Sequence, residues 1–224
     1  LGQFENTLIL FLSDNGSSAE GGPGGFSRGL AGAPLGTGRS YASAGLEWAN
    51  AADTPFRKFK MSTYEGGIAT PLIAHWPRGI AARGELRHQP GHVIDVMPTL
   101  LEVAGAGYPA EFRRRPLLPL EGRSLVPAFK QNSTESRADL YWEHEGNKAV
   151  RRGDWKAVAQ GRGAWELYAL KTDRTESHNV AAQHPEVARE LAALWQAWAA
   201  RSGVWEWDDL RKHRQERAKK KSKS

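Results

Sequence analysis

Residues 7–16, Thr7-Leu-Ile-Leu-Phe-Leu-Ser-Asp-Asn-Gly16, change character across a single peptide bond. Apolar and β-branched residues run as far as Leu12, and four turn formers follow. Such a run, closed so abruptly, predicts a strand buried on both faces, as in a parallel sheet beneath helices. In open α/β sheets the carboxyl ends of strands are where ligands bind. Asp14 and Asn15 stand at that position. A carboxylate beside an amide carbonyl offers two hard oxygen donors, suited to calcium or magnesium. The same two residues are also ordinary turn formers that tolerate left-handed backbone. One strand makes no sheet, so its partners must come from elsewhere.

Working outward, residues 16–58 are rich in Gly, Ser, Ala and Pro, with little periodicity. A loop of that length is expected to be functional or disordered. It leads into Lys60-Met-Ser-Thr-Tyr-Glu-Gly-Gly67, then Thr70-Pro71, then a short strand from Pro71 to Trp76. A lysine ammonium is a compact charge able to hold an oxygen of sulfate or phosphate. Lys58 and Arg57 are local rivals to Lys60 for that part, and a surface lysine is the plainer alternative. The glycine pair permits close backbone approach. Glu65 reads either as a structural hydrogen-bonding carboxylate or as support for a site.

Asp95 to Ala104 reads as a helix with Asp95 as its N-cap, an apolar face of Met97, Leu100, Leu101 and Ala104, and Gly105 closing it. Around Arg113–Pro119 the composition shifts to Arg, Pro and Leu, which predicts a connector. Beyond it, Leu140–His144, Ala149–Arg152, Trp155–Ala159 and Glu166–Leu170 are strand-like, with Gly146-Asn147 and Gly153-Asp154 as turns. An antiparallel meander follows. Pro185 suits the first position of a helix to about Arg201, and Val187, Leu191, Leu194, Trp195 and Trp198 give it an apolar stripe. The expected division is 1–115, an α/β unit; 116–210, a smaller α+β unit; and 211–224, a basic, frayed tail.

The formal net charge of +6 does not describe a basic fold. The tail Arg211–Ser224 holds eight Lys or Arg and one Glu, which is +7, so residues 1–210 carry −1. That placement argues against a folded nucleic-acid-binding face. The tail could attract any polyanion in a salt-dependent way, although a solvated terminus is the plainer reading. With no cysteine there are no disulfides, thiolate metal sites or cysteine nucleophile. No apolar run approaches the ~20 residues that span a bilayer. The chain opens at Leu1 without a methionine or a signal-peptide pattern, and is expected to begin within a longer protein. Asn132-Ser-Thr134 has the pattern of a glycosylation acceptor.

Taken together, these motifs resemble the sulfatase family. Ser-Asp-Asn-Gly after an apolar strand, a glycine-rich loop, KxxTYEGG and TPLIAHWP occur in that family's order. HVIDVMPTLLEVAG (His92–Gly105), YWEHEGNKAVRRGDWK (Tyr141–Lys156), WELYAL and the Asp173–Asn179 stretch continue the likeness. The resemblance implies the C-terminal part of an alkaline-phosphatase-like α/β core, followed by a small antiparallel sheet packed on a C-terminal helix. It implies that Asp14 and Asn15 bind the family's calcium and that Lys60 holds the substrate's sulfate as a catalytic group. It also brings His144, in the first meander strand, near substrate; a hydrogen-bonded structural histidine is the alternative. The nucleophile of such enzymes is a formylglycine made from Cys or Ser in a C/S-x-P/A-x-R motif. This chain has no Cys, and Ser124-Leu-Val-Pro127 places its proline one position late. The covalent step is thus expected to belong to residues outside this sequence. Ala69, where many relatives carry Arg, leaves the substrate open among aryl, sugar and glycosaminoglycan sulfates. A phosphoester or phosphonate monoester hydrolase of the same superfamily, or a non-catalytic binding module, are the alternatives. Export to a periplasmic, lysosomal or secreted location is what the resemblance suggests.

Overall fold

The computed structural model describes residues 2–30, 32–132 and 137–221. It forms two units, each discontinuous in sequence: residues 1–12 with 72–137, and residues 13–71 with 138–224. The expected boundary near residue 115 does not fall between them. Composition shifts there, but compactness is decided by long-range pairing, which holds residues up to Arg137 in the first unit. Ser133 and Thr134 of the glycosylation pattern lie outside the described residues.

In the first unit, β1 (Ile9–Leu12) pairs antiparallel with β4 (Leu72–His75), in the register Ile9↔His75 to Leu12↔Leu72. The run does form a strand, but not the parallel, doubly buried one expected. Phe11 and Ile73 are largely exposed, because this sheet has two strands and no helix closes its faces among the described residues. α3 spans Val96–Ala104 and ends at Gly105, whose φ of 62° is the left-handed closure its sequence position predicts. The N-terminal end differs. A 3-10 turn, Val93–Asp95, precedes the helix, and His92 and Asp95 cap that turn reciprocally. Asp95 also anchors a distant segment. It is fully buried and takes a two-pronged pair from Arg137, at 2.5 and 2.7 Å. The helix turns Thr99, not Met97 and Leu100, inward. Thr99 donates to Asp95 O and accepts from the N–H of Leu125, while Met97 and Leu100 are exposed. Arg113 and Arg114, at φ 52° and 63°, form the turn between β5 (Glu111–Phe112) and β6 (Arg115–Pro116). A short helix, α4 (Val126–Lys130), buries Phe129.

The second unit is built around a meander of β7 (Leu140–His144), β8 (Asn147–Arg152), β9 (Trp155–Ala159) and β10 (Glu166–Ala169). Their order is β10-β9-β8-β7 and every pairing is antiparallel. Side chains alternate across a strand, and here both faces are used. Val150, Ala157 and Leu167 meet Leu191, Trp195 and Ala199 of α5 (Pro185–Ser202). Ala149, Val158, Tyr168 and Leu170 meet Tyr64 on the opposite face. The helical stripe read from sequence is the one that packs. Trp195 is fixed further by its ring N–H donating to Trp142 O at 2.9 Å, and Trp198 stacks on Tyr141 with centroids 5.2 Å apart.

Two stretches are more ordered than their composition suggests. The glycine-rich segment contains a hairpin, β2 (Phe26–Gly29) with β3 (Ser40–Ser43), and a helix, α1 (Leu46–Asp53). The basic stretch expected as a frayed tail lies in helix α6 (Trp207–Lys221) as far as it is described. Lys, Arg, Gln and Glu favour helix, and Asp208 and Asp209 sit in the first turn, where the helix dipole favours acids. Among the described residues no helix is long and apolar enough to cross a membrane.

Candidate functional site

The loop Ser13–Ser17 is held by chain segments 36 to 57 residues further on. Gly16 donates its N–H to Gly67 O at 3.1 Å, and Lys60 donates its N–H to Ser17 O at 3.1 Å. Ser17 in turn donates its N–H to both carboxylate oxygens of Asp53, each at 3.0 Å. Thr70 Oγ1 donates to Ser13 O at 2.8 Å. Contacts this close require glycine. A Cβ on Gly16 would lie 1.8 Å from Gly66 O, one on Gly66 2.1 Å from Lys58 O, and one on Gly67 2.0 Å from Ser62 O. The Asn-Gly and Glu-Gly-Gly motifs are therefore points where backbone crosses backbone.

These segments enclose a cleft of about 430 Å³ whose lining includes Ser13, Asn15, Ser17, Asp53, Phe56 and Thr70. Its polar wall is mostly hydroxyl, amide and carboxylate oxygen. Asn15 is half-buried and donates from its side-chain nitrogen to Gly16 O at 2.8 Å, leaving the amide oxygen as its acceptor atom. Asp14 beside it is exposed. Lys60 meets the loop through its backbone N–H on Ser17 O; neither it nor Asp14 is among the residues lining the cleft, and the Lys60 Nζ lies 3.2 Å from Glu20 Oε1. The hydrogen bond from Lys60, aided by one from Tyr41, holds the Glu20 carboxyl below its ordinary range. Arg57, a rival to Lys60 in sequence, is engaged elsewhere: its Nη1 donates to Tyr168 Oη at 2.7 Å, and its guanidinium lies over the Tyr64 ring.

His144 ends β7 and is exposed. It pairs with Asn147 across the hairpin, and Asn147 Nδ2 donates to Met61 O at 3.0 Å. The histidine's turn thus braces the residue that follows Lys60.

Glu65 is the residue whose part the structure makes plain, and it brings partners not found from sequence. Its carboxylate is buried, 2.8 Å from Lys156 Nζ and 3.1 Å from Arg174 Nη2. Lys156 is fully buried and also lies 2.8 Å from Glu176 Oε1. Glu176 Oε2 accepts the N–H of Glu65 at 2.6 Å. Two carboxylates and two cations thus balance, and they tie α2 (Glu65–Ile68) to β9 and to the turn at residues 173–179. Burial opposes ionisation of Glu65, but the charge of Lys156 and its hydrogen bond outweigh that and lower its pKa. Burial dominates at Glu176 and raises its pKa. A neighbouring cluster joins Tyr64, Tyr168 and Arg57 on Glu166 Oε2. Burial, then the hydrogen bond to Glu166, pushes both phenols well above their ordinary range. Lys156 stands 91 residues from Glu65 and Glu176 stands 111. No local pattern announces such partners.

The donor chemistry of Asp14 and Asn15, hard and oxygen-based, fits calcium, which takes 6–8 such ligands. The pair could supply two of those places. Among the described residues no three His, Cys, Asp or Glu side chains gather as a complete metal site.

Comparison with known proteins places this geometry in context. Residues 1–106 match the family model described as Sulfatase, and residues 56–199 match the one described as N-sulphoglucosamine sulphohydrolase, C-terminal. An uncharacterized sulfatase of Schizosaccharomyces pombe is 32% identical over 222 residues, covering 91% of this chain and 40% of that protein. N-acetylgalactosamine-6-sulfatase of Mus musculus is 30% identical over 181 residues, covering 80% of this chain and 29% of its own length. Among solved structures, Ps i-CgsB matches with a TM-score of 0.62 and 26% identity over 88% of this chain and 37% of that one. The chain thus spans well under half of the proteins it is similar to.

Proposed function

This chain belongs to the sulfatase family of alkaline-phosphatase-like proteins, and from that premise we propose that it contributes to the hydrolysis of sulfate monoesters on sugars. In this reading Asp14 and Asn15 are two protein ligands of a calcium ion, and Lys60 binds an oxygen of the substrate's sulfate. The formylglycine nucleophile comes from residues outside this sequence. The sugar substrate is proposed from the names of relatives such as N-acetylgalactosamine-6-sulfatase.

The observation that carries the reading is the hydrogen bond from Lys60 N–H to Ser17 O. It sets the backbone of the lysine on the loop that bears Asp14 and Asn15, although Lys60 and Asn15 are 45 positions apart in the chain. Negative charge spreads over the sulfate oxygens as the S–O bond breaks. Preorganised cations aimed at that charge are the largest catalytic contribution available to such a site. Calcium, when bound, would supply Lewis-acid charge there. The pair between Lys60 and Glu20 is partly exposed on both sides, and pairs of that kind are weak. A sulfate group can therefore take over the ammonium. The hydroxyls of Ser13, Ser17 and Thr70 along the cleft offer hydrogen bonds to a hydroxyl-rich substrate.

The test uses the full-length enzyme. Lys60→Ala should lower turnover of a sulfate ester by about a hundredfold, whereas Asp14→Ala should weaken calcium binding in a direct titration. Near-normal turnover by the lysine variant at saturating substrate would reject its assignment. An unchanged calcium isotherm would reject that of Asp14.

A further inference from the structure

Helix α6 concentrates charge on a surface with no apolar stripe. From residue 211 to 219 five cationic side chains, Arg211, Lys212, Arg214, Arg217 and Lys219, stand against one acid, Glu216. All of them are exposed. At 3.6 residues per turn they spread around most of the helix, so no face is suited to packing on its own unit. Arg211, Arg214 and Arg217 are three apart, and like charges at that spacing repel.

The root of the helix is nevertheless fixed. The Trp207 side chain lies against Gly146, close enough that a Cβ on that glycine would sit 3.1 Å from Trp207 Cβ. Asp208 pairs with Arg162. Gly146 belongs to the β7–β8 turn, and its neighbour Asn147 is the residue that donates to Met61 O beside Lys60. The cationic helix therefore springs from the same turn that braces the proposed sulfate site.

We infer that α6 is a polyanion-binding arm, which holds a sulfated polysaccharide while one of its sulfate groups occupies the site at Lys60. The inference rests on the sulfatase reading and narrows its substrate class to polymers. A 15-residue helix is about 22 Å long, so its cations are arrayed for an extended chain with repeated charges. Binding of such a chain is driven by counterion release and falls steeply with salt. Single-stranded nucleic acid is the poorer fit. Stacking on aromatic rings is what retains unpaired bases, and the rings here, Trp205 and Trp207, stand at the helix root, against His213 and Gly146, while the cationic stretch 208–221 holds no Phe, Tyr or Trp.

The experiment compares this chain with a variant in which Arg211, Lys212, Arg214, Arg217 and Lys219 are each changed to Gln, which preserves helix propensity. Heparin binding is titrated across salt concentrations, with unsulfated dextran as the neutral control and poly(A) as the nucleic-acid probe. The native chain should bind heparin more tightly than poly(A) and ignore dextran. The variant should lose roughly three to five from the slope of log affinity against log salt, about one per cation engaged. In the full-length enzyme the same substitutions should raise KM for a sulfated polysaccharide at least about tenfold, through lost effective concentration, and leave kcat/KM for a small aryl sulfate unchanged. Unaltered heparin binding by the variant, or tighter binding of poly(A) than heparin, would overturn the inference. If the sulfatase reading itself fails, the full-length enzyme turns over no sulfate ester at all while heparin binding persists, so the two failures are distinct.

Discussion

The buried trio of Glu65, Glu176 and Lys156, closed at the surface by Arg174 to make a quartet, is where one side chain matters most to this fold. Lys156 alone touches both carboxylates, and it is fully buried. Lys156→Met keeps the side-chain bulk but leaves buried Glu176 without a cation and Glu65 with Arg174 alone. That change should destabilise the chain by about 3–5 kcal/mol, read as a lowered urea midpoint. Adding Glu65→Gln and Glu176→Gln should recover part of the loss; if the lysine change alone leaves the midpoint in place, the cluster is not what secures α2. This quartet also marks what sequence could and could not convey about the site. Asp14, Asn15 and Lys60 can be put forward from sequence because they lie in compact motifs whose chemistry is local. Glu65 stayed ambiguous and Lys156, Glu176 and Asp53 were missed, because each acquires its part only from a partner 36 to 111 residues away.

Among the elements, the meander and α5 were the most legible, since turn residues punctuate the strands and the helical stripe has a clear period. The packing follows that pattern, with Trp195 buried at the centre of the stripe. Trp195→Ala removes the largest fully buried side chain among the described residues and deprives Trp142 O of its donor. A loss of about 3–5 kcal/mol is expected, measured by chemical denaturation followed by circular dichroism. A change below about 0.5 kcal/mol, within the range of an ordinary surface substitution, would mean that the α5 face contributes little. β1 was legible as a strand but not in its pairing. An apolar run fits a buried parallel strand and an exposed antiparallel one equally well, and only the partner, here β4, decides. α3 shows the same limit: its periodicity located the helix, yet the hydrogen bonds of Thr99 turned a polar residue inward.

Taken whole, the molecule separates its charge from its fold. Deleting residues 211–224 should change the formal charge from +6 to −1. Retention on a cation exchanger at neutral pH and low salt should then disappear, with the meander's circular dichroism intact. Retention that survives the deletion would locate the basic surface elsewhere. The two compact units were hidden from a linear reading because the chain passes between them at residues 12–13, 71–72 and 137–138. Local composition has no means of registering a return. The crossings at Gly16, Gly66 and Gly67 carry a mechanical implication. Where main chain rests directly on main chain, no flexible side chain lies between the segments to absorb a shift. A push on the 13–17 turn is handed on undamped to residues 57–67. Whatever settles beside Asn15 will therefore be felt at Lys60 as movement of its own backbone, and the two should share one amplitude of thermal motion.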